Sequence, residues 1–292
     1  MFKYIHKVGL GTAQCGLDYG ISNTSGQTSE ENVIKILELA SSAGIKIIDT
    51  AHSYGNSEKI IGKNNLKDFK IVTKSPPSLI SPNKSIKESF FESLDNLGLK
   101  KVYGLLLHNS DDIFSNDSRN RIKELQDLKS LGYLNKIGFS AYNKNQIHKA
   151  LTFFKPDIIQ LPFNVFDQNL LHDGTLDFLK SLNIEIHARS SFLQGLLIMD
   201  SSKIPTYFNK WGVYFKKWHH YCSSINSSPK SVALTFSAAQ KLIDKVIVGI
   251  ENKSQLLELI NTPKISRELE LKFLTCRDEG LINPSKWKFN NE

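Results

Sequence analysis

The sequence contains 292 residues, of which 40% are hydrophobic and 23% are charged, and its formal net charge is +8. This composition suffices for a large buried core and excludes a disordered chain. Because the basic residues are scattered and form no run, we expect no nucleic-acid partner.

The cysteines, histidines and apolar runs bear on cellular location and metal content. Cys15, Cys222 and Cys276 are odd in number and widely spaced, a pattern that favours neither a disulfide framework nor a paired zinc site. The histidine pair at 219–220 has no second ligand pair at metal spacing, so we expect no metal. No apolar run reaches the roughly 20 residues of a membrane helix. The sequence therefore predicts a cytoplasmic protein with no membrane partner.

Short apolar runs alternate with longer stretches of helical spacing along the whole chain. Their apolar residues are continuous rather than alternating, which is typical of parallel strands covered on both faces. Before the first long helical stretch, Thr28 and Glu31 fit a capping box, and Gly44 fits the helix end. The predicted strands are residues 8–12, 45–51, 70–75, 102–108, 136–141, 157–163, 184–190 and 245–250.

Eight repeats of strand and helix predict a (β/α)8 TIM barrel, formed as a single domain by residues 1–292. The alternative is an open doubly wound sheet, which needs a Gly-rich phosphate loop after its first strand. The stretch "GLGTAQCG" at 9–16 lacks the GxGxxG spacing of such a loop. We expect a rim loop at 191–226, after the seventh strand, and a C-terminal tail at 279–292.

Polar residues end the predicted strands, and in such a barrel these ends converge on one mouth. Asp49, Lys74 and His108 follow the second, third and fourth strands, and Tyr54 lies in the loop after the second. A phenol has a pKa near 10, and a nearby ammonium lowers it. Tyr54 is therefore a candidate to protonate a carbonyl oxygen while His108 hydrogen-bonds the same oxygen.

The strand ends also carry a family resemblance. The stretches "GLGTAQ", "IDTAHSYGNSE", "VTKS", "LLLHNSD", "KIGFSAYN", "DIIQLPFN", "ARSSFLQGLL" and "VIVGIENKSQLLELI" together resemble the aldo-keto reductase superfamily, in order and over almost the whole chain. The resemblance implies a (β/α)8 barrel, a nicotinamide dinucleotide bound without a Rossmann fold, and a catalytic tetrad. The tetrad positions are Asp49, Tyr54, Lys74 and His108.

The resemblance also implies a set of cofactor-binding positions. They are Gly11, Thr12, Ser140, Gln160, Arg189, Ser190, Leu193, Gly195, Gly249, Gln255 and Glu258. Arg189 stands where many relatives place an aromatic ring on the nicotinamide. NADPH is the cofactor that the resemblance favours. NADH is the alternative, because the basic residues aimed at a 2′-phosphate appear here as Gly249 and Gln255, with Lys253 as the candidate replacement.

The expected activity is reduction of an aldehyde, ketone or sugar carbonyl to an alcohol. Position 13 is Ala, where many members of the resembled family have a bulky aromatic residue, and the loop 109–118 is polar. Both features indicate a wide, hydrated cavity entrance that suits a sugar or nucleotide sugar. Two alternatives stay open: a nicotinamide-binding redox sensor on the same fold, and an epimerase or dehydratase that retains its cofactor. The aromatic residues spaced by three and four between 208 and 218 indicate either a helix packed on the barrel or a substrate platform.

Overall fold

The computed structural model describes residues 1–81, 84–114 and 117–288. In these ranges eight parallel strands close into a barrel in the order β1 to β8, which confirms the predicted (β/α)8 fold. The strands are β1 Val8–Gly11, β2 Ile47–Asp49, β3 Lys70–Ser75, β4 Val102–Leu107, β5 Leu134–Ser140, β6 Ile158–Pro162, β7 Glu185–Arg189 and β8 Lys245–Gly249.

Helices surround the barrel and connect successive strands. The α-helices are α1 Ala13–Gly16, α2 Glu30–Ser42, α3 Ser57–Gly62, α4 Ile86–Leu97, α5 Ser118–Ser130, α6 Lys144–Leu151, α7 Asn169–His172, α8 Thr175–Ser181, α9 Gly212–Ser224, α10 Pro229–Ala239, α11 Lys253–Ile260 and α12 Glu279–Ile282. None of the helices in the described part of the chain combines the length and apolar character that crossing a bilayer requires.

Short polar side chains fix where the longer helices begin. The prediction of a capping box at Thr28 and Glu31 is wrong by one residue, because Ser29 caps α2 by accepting a hydrogen bond from the Asn32 N–H. Gly44 follows this helix at φ +81°, a left-handed conformation that glycine adopts without strain. A reciprocal capping box does occur at α4, between Ser85 and Glu88.

The segment after β7 adds a second apolar layer to the barrel. It contains short 3-10 helices at Leu196–Ile198, Ser201–Lys203 and Thr206–Trp211, followed by α9. Most of its aromatic side chains are buried against the C-terminal residues, and the Trp218 indole N–H donates to the Leu197 carbonyl at 2.8 Å. The helix interpretation of this aromatic run is confirmed for α9.

A polar network closes the barrel at the N-terminal ends of its strands. Glu185 on β7 accepts hydrogen bonds from Tyr103 on β4 (2.7 Å) and from Lys136 on β5. His187, fully buried two residues further along β7, pairs with the other Glu185 oxygen at 2.7 Å. Burial alone raises the pKa of Glu185, but His187, Lys136 and Tyr103 hold it well below its ordinary value. One carboxylate thus ties three strands together.

Candidate active site

A cavity of about 450 Å³ opens at the C-terminal ends of the strands. Every strand contributes to it, either through its last residues or through the residue that follows it. The strand-end residues that line it are Gly11, Asp49, Lys74, His108, Ser140, Gln160, Arg189 and Gly249. Tyr54, from the loop after β2, completes the predicted tetrad in the same cavity.

Asp49 and Lys74 form a buried ion pair at the floor of the cavity. The Lys74 ammonium lies 2.6 Å from Asp49 Oδ2 and also donates to the Thr50 carbonyl at 3.0 Å. Both side chains are almost fully buried, with 1% of Lys74 and 4% of Asp49 exposed. The other oxygen, Asp49 Oδ1, accepts a hydrogen bond of 2.7 Å from Gln160 Nε2. The carboxylate therefore fixes an ammonium on one side and an amide on the other.

Tyr54 lies between Lys74 and His108. The Lys74 ammonium is 5.1 Å from the centroid of the Tyr54 ring. The His108 ring meets the same ring edge to face, with centroids 5.6 Å apart and planes at 87°. His108 Nδ1 is buried without a hydrogen-bond partner in the described part of the chain. A phenol, an ammonium and an imidazole thus surround one point in the cavity.

The protonation states of these groups follow from burial and from their neighbours. Burial raises the pKa of Tyr54; Lys74 opposes this shift and Asp49 adds to it. Burial alone lowers the pKa of Lys74, but Asp49 and then Tyr54 raise it above its ordinary value. Burial, with Lys74 and Arg189 nearby, lowers the pKa of His108 to about 3. At neutral pH the site therefore holds a neutral phenol, a charged ammonium and a neutral imidazole.

This balance differs from the sequence-based expectation in one respect. Lys74 does favour the phenolate of Tyr54, as expected, but burial outweighs it and the net shift of the Tyr54 pKa is upward. A phenol that keeps its proton at neutral pH is available as a proton donor.

Most of the predicted cofactor positions meet in this cavity. Ser140 and Gln160 are paired in register across β5 and β6, so their side chains are neighbours. Thr12 is 3% exposed, and its hydroxyl donates to the Asp49 carbonyl at 3.1 Å. The predicted cofactor positions that line the cavity are Gly11, Thr12, Ser140, Gln160, Arg189, Ser190, Gly195, Gly249 and Gln255.

Leu193 and Glu258 do not line the cavity. Leu193 is fully buried in the second apolar layer, among the aromatic side chains of the segment after β7 and the C-terminal residues. It therefore anchors the loop after β7 without facing the cavity. Glu258 is exposed on α11 and forms an ion pair with Lys230 of α10, which does line the cavity. Both positions therefore lie behind the lining residues.

The loop after β7 is held in an unusual backbone conformation. Ser190, Leu193 and Gln194 have positive φ values of 61°, 49° and 53°, although none is glycine. The Asn164 side chain donates to the Ser190 carbonyl at 3.1 Å and steadies the first of these residues. Gly195 has φ +93°, and a Cβ there would lie 1.8 Å from Ser22 Oγ. Such strain is typical of loops that shape a binding site.

The far end of the cavity, beyond β8, carries opposite charges. Glu251 lines it, and Glu251 and Gln255 hold each other through two hydrogen bonds of 2.9 and 3.0 Å. Lys230 reaches the same end but is already paired with Glu258. Lys253 is exposed at the start of α11 and does not line the cavity.

Sequence reasoning missed several lining residues that lie in loops. Tyr19 and Ser22 come from the segment after β1, Tyr142 follows β5, and Glu251 follows β8. Arg189 stacks on Tyr142, with the guanidinium carbon 4.3 Å from the ring centroid. The clearest sequence signal was the aromatic residue two positions after the predicted strand-end serine, in "FSAYN".

Comparison with known families decides the classification. The aldo/keto reductase family model matches residues 7–269. The chain belongs to the aldo/keto reductase family. Membership supports an oxidoreductase that uses a nicotinamide cofactor. The cavity fits such a group, because glycines at positions 11, 195 and 249 leave room along its walls.

Two relatives of this aldo/keto reductase have names that state a substrate. It is similar to the NADH-specific methylglyoxal reductase of Escherichia coli, with 23% identity over 87% of this chain and 88% of that one. It is also similar to the L-galactose dehydrogenase of Arabidopsis thaliana, with 26% identity over 97% and 92% of the two chains.

Solved structures share the fold of this aldo/keto reductase. An aldo-keto reductase from Bacillus halodurans superposes with a TM-score of 0.71 at 19% identity, covering 92% of this chain and 91% of that one. The glycerol dehydrogenase of Gluconobacter oxydans gives a TM-score of 0.70 at 19% identity, covering 98% and 94%.

Proposed function

We propose that this protein reduces a carbonyl compound to an alcohol with a nicotinamide dinucleotide, using Asp49, Tyr54, Lys74 and His108. The observation that carries the proposal is the position of Tyr54 in the cavity, between the Lys74 ammonium and the His108 ring. A proton donor, a fixed positive charge and a neutral imidazole are the groups that carbonyl reduction requires at the oxygen.

The chain's own residues perform the proton half of the reaction. The Tyr54 hydroxyl gives its proton to the carbonyl oxygen, and the Lys74 ammonium stabilises the phenolate that is left. His108 is neutral and can donate one N–H to the same oxygen, which orients it. Asp49 keeps Lys74 charged and in place at 2.6 Å. A bound reduced nicotinamide would supply the hydride to the carbonyl carbon.

Ser140 and Gln160 would hold the nicotinamide carboxamide. Gln160 Nε2 already donates to Asp49 Oδ1, so its amide oxygen is the group left to accept a hydrogen bond from the cofactor. This arrangement links cofactor binding directly to the Asp49 and Lys74 pair. The Arg189 guanidinium, which stacks on Tyr142, would lie beside the nicotinamide ring.

We propose NADH as the preferred cofactor and NADPH as the alternative. The family resemblance favours NADPH, but the charges at the far end of the cavity favour NADH. Glu251 lines this end, and the Lys230 ammonium is engaged by Glu258. A 2′-phosphate would therefore meet an unneutralised carboxylate, whereas a ribose hydroxyl could donate to it. The similarity to an NADH-specific relative supports the same choice.

The substrate is a small carbonyl compound, and we propose a sugar as its natural class. The cavity is lined by many polar side chains, and Ala13 contributes only a methyl group to its wall. The similarity to an L-galactose dehydrogenase supports a sugar. We further propose a cytoplasmic location, in line with the three unpaired, buried cysteines.

The test is a panel of carbonyl compounds, including methylglyoxal and four- to six-carbon sugars, assayed with NADH and NADPH in parallel. We expect one cofactor molecule oxidised for each alcohol formed. Isomerised or dehydrated product without net cofactor loss would support the epimerase or dehydratase alternative. Tight cofactor binding with no turnover of any compound would support the redox sensor.

A further inference from the structure

A second cavity, here called the side groove, lies beside the catalytic cavity. It has a volume of about 280 Å³ and lies between the loops that follow β5 and β6, next to the C-terminal tail. Its polar lining includes Asn143, Lys144, Asp167, Asn169, Arg277 and Asn283. This volume has room for several water molecules or for several hydroxylated carbons.

The side groove adjoins the catalytic cavity at two points. Tyr142 lines both spaces, with its ring held by the Arg189 guanidinium. Asn283 lines the side groove, and the next two residues of the tail, Pro284 and Ser285, line the catalytic cavity. The two spaces are therefore neighbours, with the Tyr142 side chain at their common boundary.

Asp167 is the feature that marks the side groove as a binding site. It is 5% exposed, and no cation lies within ion-pair distance of it in residues 1–81, 84–114 and 117–288. Its carboxylate accepts hydrogen bonds only from Asn169 among the described residues, from the side-chain Nδ2 to Oδ1 at 3.1 Å and from the backbone N–H. Burial raises the pKa of Asp167 to about 7; the Asn169 hydrogen bonds and the more distant Arg189 oppose this shift only in part, and Glu279 adds to it. A buried carboxyl with unused hydrogen-bonding capacity gains from a ligand hydroxyl.

The other lining groups indicate a neutral, polyhydroxylated ligand. Arg277 and Lys144 offer donors, whereas Asp167, Asp173 and Glu279 offer acceptors, so neither charge sign dominates. The described residues contain no group of three or more His, Cys, Asp or Glu side chains arranged to hold a metal. Amides and mixed charges at close spacing match the alternating donors and acceptors of a sugar.

We propose that the side groove binds the hydroxylated end of a sugar whose carbonyl lies at Tyr54. The proposal rests on the proposed carbonyl reduction, and it assigns Asp167 as the residue that selects extended sugar substrates over short aldehydes. Asp167 accepts from a sugar hydroxyl, and Arg277 contacts the same end of the molecule. Short aldehydes end before Tyr142 and do not use the side groove.

The experiment compares kinetics on methylglyoxal with kinetics on four- to six-carbon sugars for the wild type, Asp167→Asn and Arg277→Ala. We expect both variants to raise KM for the sugars about tenfold, because Asp167→Asn replaces a charge-assisted hydrogen bond by a weaker neutral one and Arg277→Ala removes a charged donor. Their kcat/KM for methylglyoxal should stay within twofold. Asp177→Asn, on the exposed face of α8, is the matched control and should leave both substrates unchanged.

The outcomes separate this inference from the proposed function. If the wild type reduces methylglyoxal but neither reduces nor binds any of the sugars, the side-groove assignment is overturned while carbonyl reduction stands. Equal loss on methylglyoxal and sugars would also overturn it, because the side groove would then act through the catalytic cavity. No turnover of any compound would instead contradict the proposed function, and sugar titration followed by calorimetry would then decide the side groove separately.

Discussion

Lys74 and Tyr54 face each other in the catalytic cavity, with the ammonium 5.1 Å from the centroid of the phenol ring. The same ammonium is bound to Asp49 at 2.6 Å, so its position relative to the phenol is fixed by a buried carboxylate. Lys74 and Asp49 shift the pKa of Tyr54 in opposite directions, and Asp49 also keeps Lys74 charged. Substitutions of either residue therefore test whether Tyr54 is the proton donor.

Removing the phenol hydroxyl should abolish reduction without loss of cofactor binding. We expect Tyr54→Phe to lower kcat by about 10²–10⁴-fold, the usual contribution of a general acid. The dissociation constant of the dinucleotide, measured by fluorescence quenching, should stay within a few-fold, because Ser140 and Gln160 are unchanged. Tyr133→Phe, outside the cavity, is the control. Retention of more than about a tenth of kcat would remove Tyr54 from this role.

The pH dependence of reduction should move by different amounts in two variants. Reduction needs protonated Tyr54, so activity falls as the pH rises through its pKa. Lys74→Met removes the influence that lowers this pKa, so the alkaline fall should move to higher pH. Asp49→Asn removes a direct influence that raises it but also removes the carboxylate that keeps Lys74 charged; because these effects offset each other, its shift should be smaller than that of Lys74→Met.

The measurement for these two variants is log kcat against pH, with Lys59→Met on the exposed face of α3 as the matched control. A larger shift for Asp49→Asn than for Lys74→Met would contradict the electrostatic coupling. So would a Lys74→Met profile that coincides with that of the wild type.

Glu251 should govern the choice between NADH and NADPH. Replacing it by Gln removes the negative charge at the far end of the cavity while keeping a side chain that can pair with Gln255. We expect kcat/KM for NADPH to rise about tenfold relative to NADH, since a like charge across an interface costs several kcal/mol. Glu268→Gln, exposed outside the cavity, is the control. An unchanged ratio of the two values would show that Glu251 does not face the 2′ position.

The C-terminal tail should affect carbonyl substrates more than the dinucleotide. Truncation after Leu281 removes Pro284 and Ser285 from the cavity wall, so we expect KM for carbonyl compounds to rise several-fold. Trp287 does not line the cavity; its ring packs on Phe208 at 5.0 Å, and its N–H donates to the Leu281 carbonyl at 3.1 Å.

Trp287→Ala is therefore the matched variant for the truncation. It loosens the tail but keeps its lining residues, and its effect on KM should be smaller. Residues 289–292 of the predicted tail lie outside the described ranges, as do residues 115 and 116 of the predicted polar loop. If the truncated enzyme shows the wild-type KM across the carbonyl panel, the tail only supports the fold.

Glu185 should make the stability of the barrel depend on acid pH. Its pKa is depressed in the folded state, so its contribution is present above its unfolded pKa near 4.3 and is lost as the pH falls below that value. Glu185→Gln should lower the free energy of unfolding by about 3 kcal/mol at pH 7, and this difference should shrink towards pH 3. Urea titrations at both pH values measure it. A constant difference would show that the network does not depend on the charge of Glu185.

Local pattern was enough to predict the barrel and most of the positions around its mouth. Continuous apolar runs identify buried parallel strands, and a closed parallel barrel leaves its strand ends at one face. The sequence therefore sufficed to place four strand-end residues at one site: Asp49, Lys74, His108 and Gln160. The nearby shift from Thr28 to Ser29 as a helix cap shows the limit of local pattern, since two adjacent hydroxyl residues compete for one position.

The rest of the site depends on contacts between segments far apart in sequence. The positive φ at Ser190 is held by Asn164 and turns Leu193 into the apolar layer, although neither residue type predicts that conformation. Glu251 faces the cavity because Gln255 holds its backbone and its carboxylate. Asp167 is buried beside residues of the C-terminal tail, more than 100 positions away in the sequence. Burial and orientation of these side chains are set by tertiary packing. The sequence alone therefore determined which strand-end residues meet at the catalytic cavity, whereas the tertiary structure decided which loop residues line it.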